Sequence, residues 1–267
     1  MITSKSNEKI KYIKSLNDKK YRVKYNAFYI EGVKVISELL DIYKEKAVNI
    51  EFIAFSLDIL NKVKGSEALL KKIEKNNIPT LELSESVFKE CSDAVTSQGI
   101  IAVIKYEDKK LEDLDLTKNI VILDKVQDSG NVGTIIRTAN AFGINDIICI
   151  KGCADIYSPK VVRSTMLGIV KTRIVYEDNI KGLINFLKKN NYEIISTSLG
   201  TDNYLDNDTF NKKCAIVLGN ESSGVEEELL SNSDKVIKIE IENTTESLNV
   251  AQASAIVLYE QYKSQRK

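Results

Sequence analysis

The sequence predicts two α/β domains, the second and larger one built on a parallel sheet. Three observations lead there. After residue 119, continuous runs of β-branched residues alternate with helical patterns, which is what a parallel sheet covered on both faces requires. Before residue 105, shorter strand and helix patterns alternate in a self-contained way. Between them, residues 105–118 are charged or polar at nearly every position apart from spaced leucines, as at a domain boundary. The expected organisation is a domain over 1–104, a linker over 105–118 and a domain over 119–267.

In the first domain, Phe28 to Gly32 reads as a strand entering a turn, Val33 to Tyr43 as an amphipathic helix and Ile50 to Ser56 as a strand. A lysine-rich helix over Ser66 to Lys75 follows, then Pro79 before a short strand. Ser84 is placed to cap a helix ending at Cys91, and Gly99 to Ile104 closes the unit as a strand. In the second domain the strand runs are 120–123, 147–150, 194–196, 215–218 and 236–239, with a final helix over Ser247 to Lys263.

Composition narrows the chemistry. With 43% apolar and 28% charged residues, the chain is that of a folded protein. It contains no His, which excludes Ser/His/Asp and Cys/His triads and an HExxH zinc site. The four cysteines, Cys91, Cys149, Cys153 and Cys214, are scattered and read as buried thiols, so no metal is expected. No apolar run approaches the ~20 residues of a membrane span, and the N-terminal segment lacks the apolar core of a signal peptide. A cytoplasmic protein without membrane contact is expected.

The 38 basic and 38 acidic residues cancel, but unevenly along the chain. Lys5, Lys9, Lys11, Lys14, Lys19, Lys20, Arg22 and Lys24 crowd the first 24 residues, interleaved with Tyr12 and Tyr21. That segment is either a phosphate-contacting surface, with Lys19, Lys20 and Arg22 among its candidate contacts, or a solvated lysine face. A second basic stretch runs from Lys160 to Arg173.

Three segments of the second domain carry candidate chemistry. Asp124 to Gly143 is a glycine-containing strand-to-helix turn whose helix buries Ile135, Ala139 and Phe142, with Gly143 placed to end it. Gly133 and Arg137, four residues apart, share a helix face, with room expected above the glycine for a ligand. The turn is neither G-x-G-x-x-G nor a P-loop, which disfavours a nucleotide-binding oxidoreductase. Leu218 to Val225 runs from a strand into Gly219-Asn220-Glu221, at the sheet edge where open α/β folds bind ligands. Thr244 to Ala253 opens the last helix. There Ser247 or Thr245 is a possible N-cap, and Asn249 is a polar residue in need of a partner.

In this order, Asn131-x-Gly133-x-x-x-Arg137-x-Ala139-x-x-Phe142-Gly143, Gly219-Asn220-Glu221-x-x-Gly224 and Ser247-Leu248-Asn249-Val250 resemble the three motifs of the SpoU (TrmH-like) RNA ribose 2′-O-methyltransferases. The resemblance covers about residues 118 to 263. Ser4-x-x-Asn7 with Ile10-Lys11, Lys20-Tyr21-Arg22, Phe28-x-x-Glu31-Gly32 and Gln98-Gly99 look like the small L30e-like substrate-binding domain that often precedes that catalytic domain.

The resemblance implies a SPOUT fold, a parallel sheet with a C-terminal trefoil knot holding S-adenosylmethionine, and a homodimer with the active site near the subunit interface. It implies a structured RNA substrate, ribosomal RNA ahead of transfer RNA. Thr197, Ser198, Leu199, Gly219, Ile239 and Leu248 fall on the cofactor-contacting positions, and Asn131, Arg137, Glu221, Ser247 and Asn249 on the catalytic ones. The family pattern makes Arg137 the activator of the hydroxyl, either as a base or as a phosphate-binding charge that stabilises the developing alkoxide. Several positions depart from the pattern. Ile239 to Asn243 replaces Ile-Pro-Met-x-Gly, Ser222 replaces a glycine, and Arg163 to Gly168 is looser than Arg-Ala-Ser-x-Gly. A non-catalytic RNA- or ribosome-binding protein retaining the fold is the competing reading.

Overall fold

The computed structural model describes residues 1–206, 208–242 and 245–266, so Asn243 and Thr244 of the third motif lie outside the described residues. From the N-terminus the chain forms α1 (Glu8–Ser15), α2 (Lys19–Tyr25), β1 (Ala27–Glu31), α3 (Val33–Ile42) and β2 (Asn49–Phe55). Next come α4 (Leu57–Leu60), α5 (Ser66–Lys75), β3 (Thr80–Glu82), α6 (Glu85–Cys91) and β4 (Ile100–Lys105). A 3₁₀ turn over Leu111–Asp113 leads to β5 (Ile120–Leu123), α7 (Ser129–Ala141), β6 (Asp146–Ile150), α8 (Pro159–Thr165) and β7 (Arg173–Glu177). The remainder is α9 (Ile180–Lys189), β8 (Glu193–Thr197), β9 (Cys214–Leu218), α10 (Glu227–Leu230), β10 (Lys235–Ile237) and α11 (Val250–Ser264).

Two compact units result. One contains residues 1–107 and 157–170; the other contains 108–156 and 171–267. The first holds a four-stranded sheet in the order β1-β4-β2-β3, with β4 antiparallel to both β1 and β2. Ile10 and Ile13 of α1 and Val87 and Phe88 of α6 bury one side of that sheet against Phe52, Ile101 and Val103. Residues 157–170, expected in the second domain, pack with the first unit: Tyr157 stacks on Tyr106 at 4.0 Å between ring centroids, and Arg163 reaches Asp93 at 3.0 Å.

The second unit is a six-stranded sheet in the order β10-β8-β9-β5-β6-β7, parallel throughout. Ile120 and Ile122 of β5 pack with Leu183, Leu187 and Leu229 of α9 and α10. Their neighbours Val121 and Leu123 are equally buried, so both faces are covered, which explains the uninterrupted apolar runs. Helices α7 and α11 pack against each other, with Phe142 between Tyr259 and Tyr262.

One strand has no clear signature in the sequence. β7 has only Ile174 and Val175 as its buried pair, too short an apolar run to stand out, and Arg173 at its start is held by the buried carboxylate of Asp146 through two hydrogen bonds of 2.5 and 2.7 Å. The Lys160 to Arg173 stretch is therefore partly neutralised within the fold, Arg163 by Asp93 and Arg173 by Asp146.

Candidate active site

The carboxyl ends of β8, β9 and β10 and the start of α11 enclose a cavity of about 300 Å³ in the second unit. Thr197, Ser198 and Leu199 follow β8; Gly219 and Glu221 follow β9; Ile237 to Ile239 close β10; and Ser247, Leu248 and Asn249 lead into α11. This is the edge of a parallel sheet, where loops replace the ladder and leave backbone groups free for a ligand. All six candidate cofactor residues lie on its wall, together with Glu221, Ser247 and Asn249.

The β9 loop is tightly specified. Asn220 and Gly224 exchange backbone hydrogen bonds of 2.9 and 3.0 Å, and a Cβ on Gly219 would lie 2.3 Å from the Gly224 carbonyl carbon. Only glycine fits there. Asn220 Oδ1 accepts from the Ser222 and Ser223 amides, while its Nδ2 donates to the Lys125 carbonyl at 2.8 Å, tying this loop to the turn after β5.

Glu221 then faces the start of α7. Its Oε1 accepts from Asn131 Nδ2 at 2.8 Å, and its two oxygens accept from the Gln127 and Asp128 amides at 3.3 Å each. Partial burial opposes its ionisation, but these donors outweigh burial and hold the carboxyl below its ordinary range. Asn131 Oδ1 in turn accepts from Asn249 Nδ2 at 3.0 Å. Asn249 is also the N-cap of α11, its Oδ1 accepting from the Ala251 amide at 2.9 Å. The cap expected at Ser247 or Thr245 is thus Asn249, and its partner is Asn131. A carboxylate, two amides and two helix starts form one connected polar group beside the cavity.

Residues 118–259 match the model of the SpoU rRNA Methylase family, and residues 7–102 match that of an MRM3-like substrate binding domain. The chain belongs to the SpoU rRNA methylase family. It is 31% identical over 258 residues to the 23S rRNA (guanosine(2553)-2′-O)-methyltransferase RlmP of Bacillus subtilis, a match covering 97% of each chain. It is 26% identical to the 23S rRNA (guanosine-2′-O-)-methyltransferase RlmB of Escherichia coli, over 72% of this chain and 82% of that one. Among solved structures, the AdoMet-bound rRNA methyltransferase from Sinorhizobium meliloti superposes with a TM-score of 0.82 at 26% identity, covering 98% of this chain and 97% of that one.

In this SpoU-family chain, Arg137 is not joined to the Asn131, Glu221 and Asn249 group. It lies six residues beyond Asn131, about 240° round the helix at 100° per residue. The side chain is exposed, and no carboxylate pairs with it among the described residues. Gly133 is buried, so the open space expected beside Arg137 is closed within one chain.

The family chain's basic N-terminus divides sharply. Lys5 and Lys14 both pair with Glu90 at 2.8 Å, and Lys9 approaches Glu51 at 3.8 Å. Lys19 and Lys20 of α2 are exposed and have no ion-pair partner among the described residues. Arg22 is a correction to the expected RNA contacts: only 4% exposed, it turns inward and donates to the Leu16 carbonyl at 2.6 Å, closing the end of α1. The alternation of lysines in the sequence hid this, because a helix of seven residues must bury one face and Arg22 sits on it.

Three functional groups were missed from the sequence. Asp128 caps α7 by accepting from the Asn131 amide at 2.9 Å, Asn220 braces the β9 loop, and Asp124 holds the Glu226 amide at 2.6 Å. Each is a loop residue whose partner lies far away in sequence or depends on a turn. Among the described residues, no three His, Cys, Asp or Glu side chains gather as a metal site, and no helix is long and apolar enough to cross a membrane.

Proposed function

We propose that the protein transfers the methyl group of S-adenosylmethionine to a ribose 2′-hydroxyl of ribosomal RNA. The observation that carries this reading is the convergence of Thr197 to Leu199, Gly219, Ile239 and Leu248 on one cavity whose rim holds the hydrogen-bonded Asn131, Glu221 and Asn249. The full-length likeness to an enzyme named for 23S rRNA 2′-O-methylation supports ribosomal over transfer RNA.

The cavity suits the cofactor chemically. Leu199, Ile239, Ile241, Leu248 and Val250 offer apolar surface for a nucleoside base, and the ends of three parallel strands offer backbone groups for its polar edges. The replaced third-motif loop still contributes Ile239 and Ile241 to the wall. When bound, S-adenosylmethionine supplies an electrophilic methyl group on a sulfonium. The chain's own task is alignment and charge. Glu221 holds Asn131, Asn131 holds Asn249, and Ser247 with Asn249 borders the cavity where a ribose would enter. Arg137 contributes positive charge toward the RNA phosphate and the developing alkoxide.

Because Arg137 is exposed and stands apart from that group in one chain, the reading includes a homodimer with the active site near the subunit interface. It also includes the C-terminal trefoil knot, structured RNA held by the first unit through Lys19 and Lys20, and work in the cytoplasm.

Calorimetry with S-adenosylmethionine, followed by transfer of its labelled methyl group to ribosomal RNA from a deletion strain, tests the reading. Saturable binding and a new ribose methylation mapped to one nucleotide are expected. Absence of cofactor binding would overturn it in favour of a non-catalytic RNA-binding protein.

A further inference from the structure

A row of four aromatic rings runs outward through the first unit to α2. Phe52 of β2 is buried at its inner end, Tyr12 of α1 lies 6.2 Å from it, and Tyr25 of α2 stands edge-on to Tyr12 at 5.0 Å. Tyr21, one turn back along α2, lies nearly parallel to Tyr25, with 6.1 Å between ring centroids and 18° between planes. Every ring has a lysine ammonium within cation–π range. Lys9 is 5.0 Å from the Phe52 centroid, Lys105 5.6 Å from Tyr12, Lys24 5.3 Å from Tyr25 and Lys20 5.8 Å from Tyr21.

The two ends of the row differ. Tyr12 and Tyr25 pack on the apolar core, and Glu51 accepts from the Tyr12 hydroxyl at 2.7 Å while pairing with Lys9 and Lys105 at 3.8 and 3.6 Å. The inner rings and charges are thus satisfied within the fold. At the outer end Tyr21 is half-buried and Val23, two residues on, is 58% exposed. Lys19, Lys20 and Lys24 are exposed and have no ion-pair partner among the described residues. Asp18, the nearest acid in sequence, is turned to the Lys20 amide, from which it accepts at 2.8 Å.

We propose that α2 holds an unpaired nucleotide of the RNA, its base stacked on Tyr21 and its flanking phosphates met by Lys19, Lys20 and Lys24. This rests on the reading above that the first unit holds RNA.

The chemistry of the outer end selects this ligand. Exposed lysines alone would serve any polyanion, an RNA duplex or an acidic peptide included. A ring at the open end of a stack adds a π-face, and a nucleotide matches it by carrying a flat base between phosphates. In an A-form duplex the bases are paired and stacked on one another, so a protein meets sugars and phosphates instead. An unpaired base offers its own face. Because every base has one, this contact grips a loop or a bulge without choosing its sequence.

Tyr21→Leu and Tyr21→Phe in the full-length protein test the proposal. The probes are a short unstructured RNA and a blunt RNA duplex of the same length, each titrated at several salt concentrations. The single strand should bind several-fold more tightly than the duplex. Tyr21→Leu should weaken single-strand binding by roughly 5- to 150-fold, the range for losing one stacked base, with the salt slope unchanged because no charge is removed. Tyr21→Phe keeps the ring and should bind as the unsubstituted protein does. With 5-iodouridine in the strand, irradiation of the unsubstituted protein should cross-link the RNA to Tyr21. Equal affinity for strand and duplex, or a Tyr21→Leu protein that binds the strand normally, would overturn the proposal. If Tyr21→Leu lowers the melting temperature, the cross-link decides, and its absence from Tyr21 overturns the proposal. Charge reversal of Lys19 and Lys20 separates the two readings. If it weakens binding and Tyr21→Leu does not, only the stacking fails; if neither weakens binding, the first unit is not where RNA is held.

Discussion

Glu221 and Asn131, ninety residues apart in sequence, are joined by a 2.8 Å hydrogen bond from the amide nitrogen to the carboxylate. Replacing Glu221 with Gln puts an N–H₂ group among donors from Asn131, Gln127 and Asp128. A hydrogen bond to a charged group is worth about 1.5–3 kcal/mol, so turnover should fall by roughly tenfold or more, measured as methyl transfer under saturating cofactor. Because these donors hold the carboxyl below its ordinary range, the wild-type loop keeps its bonds until pH falls through that lowered value. The E221Q variant should lose this acid-side dependence.

Arg137 is exposed and without an ion pair among the described residues, so its removal leaves no orphaned charge. Arg137→Ala should keep the melting temperature and cofactor affinity while lowering turnover by roughly 10²-fold or more, the scale of losing one charge-stabilising donor. Retained turnover would remove Arg137 from the mechanism.

Charge reversal of Lys19 and Lys20 should weaken RNA binding and flatten its log–log salt dependence by roughly 0.7–0.9 for each phosphate that is no longer neutralised. Reversal of Lys14, already paired with Glu90, should leave the slope unchanged. Filter binding at several salt concentrations separates the two.

Arg22→Ala should act on stability instead. It removes the donor to the Leu16 carbonyl and empties a buried position, at a cost of about 1.5–3 kcal/mol. Urea unfolding should show this loss, and the folded variant should bind RNA with the wild-type salt slope.

Asp124 is buried at the end of β5, and burial raises its carboxyl above the ordinary value although the Glu226 amide donates to it. Between its unfolded and folded values the folded state holds more protons, so this group makes stability fall as pH rises through that window. Asp124→Asn keeps an acceptor for Glu226 and should abolish that decline, whereas Asp124→Ala should lose stability at every pH. Thermal melts across the acid range decide it.

Much of the fold was legible because it is local. The apolar runs of β5, β6, β8 and β9 announce strands buried on both faces, and Ser66 to Lys75 coincides with α5 residue for residue. β7 was not legible, since two apolar residues carry no periodicity and its placement depends on Asp146 receiving Arg173. The candidate cofactor residues were named from motif spacing, and they meet on one cavity because each motif sits at the carboxyl end of a parallel strand or the start of α11.

The sequence by itself determined the residue types available to the site: no His, an arginine on a glycine-containing helix, one carboxylate after β9 and an asparagine before the last helix. Tertiary structure decided which of them touch. It bonded Asn249 to Asn131 and made it the cap of α11, and it buried Arg22 while leaving Lys19 and Lys20 in water. Hydrogen bonds and burial depend on distances and directions between segments far apart in the chain, and a charge or spacing pattern along one segment cannot encode them.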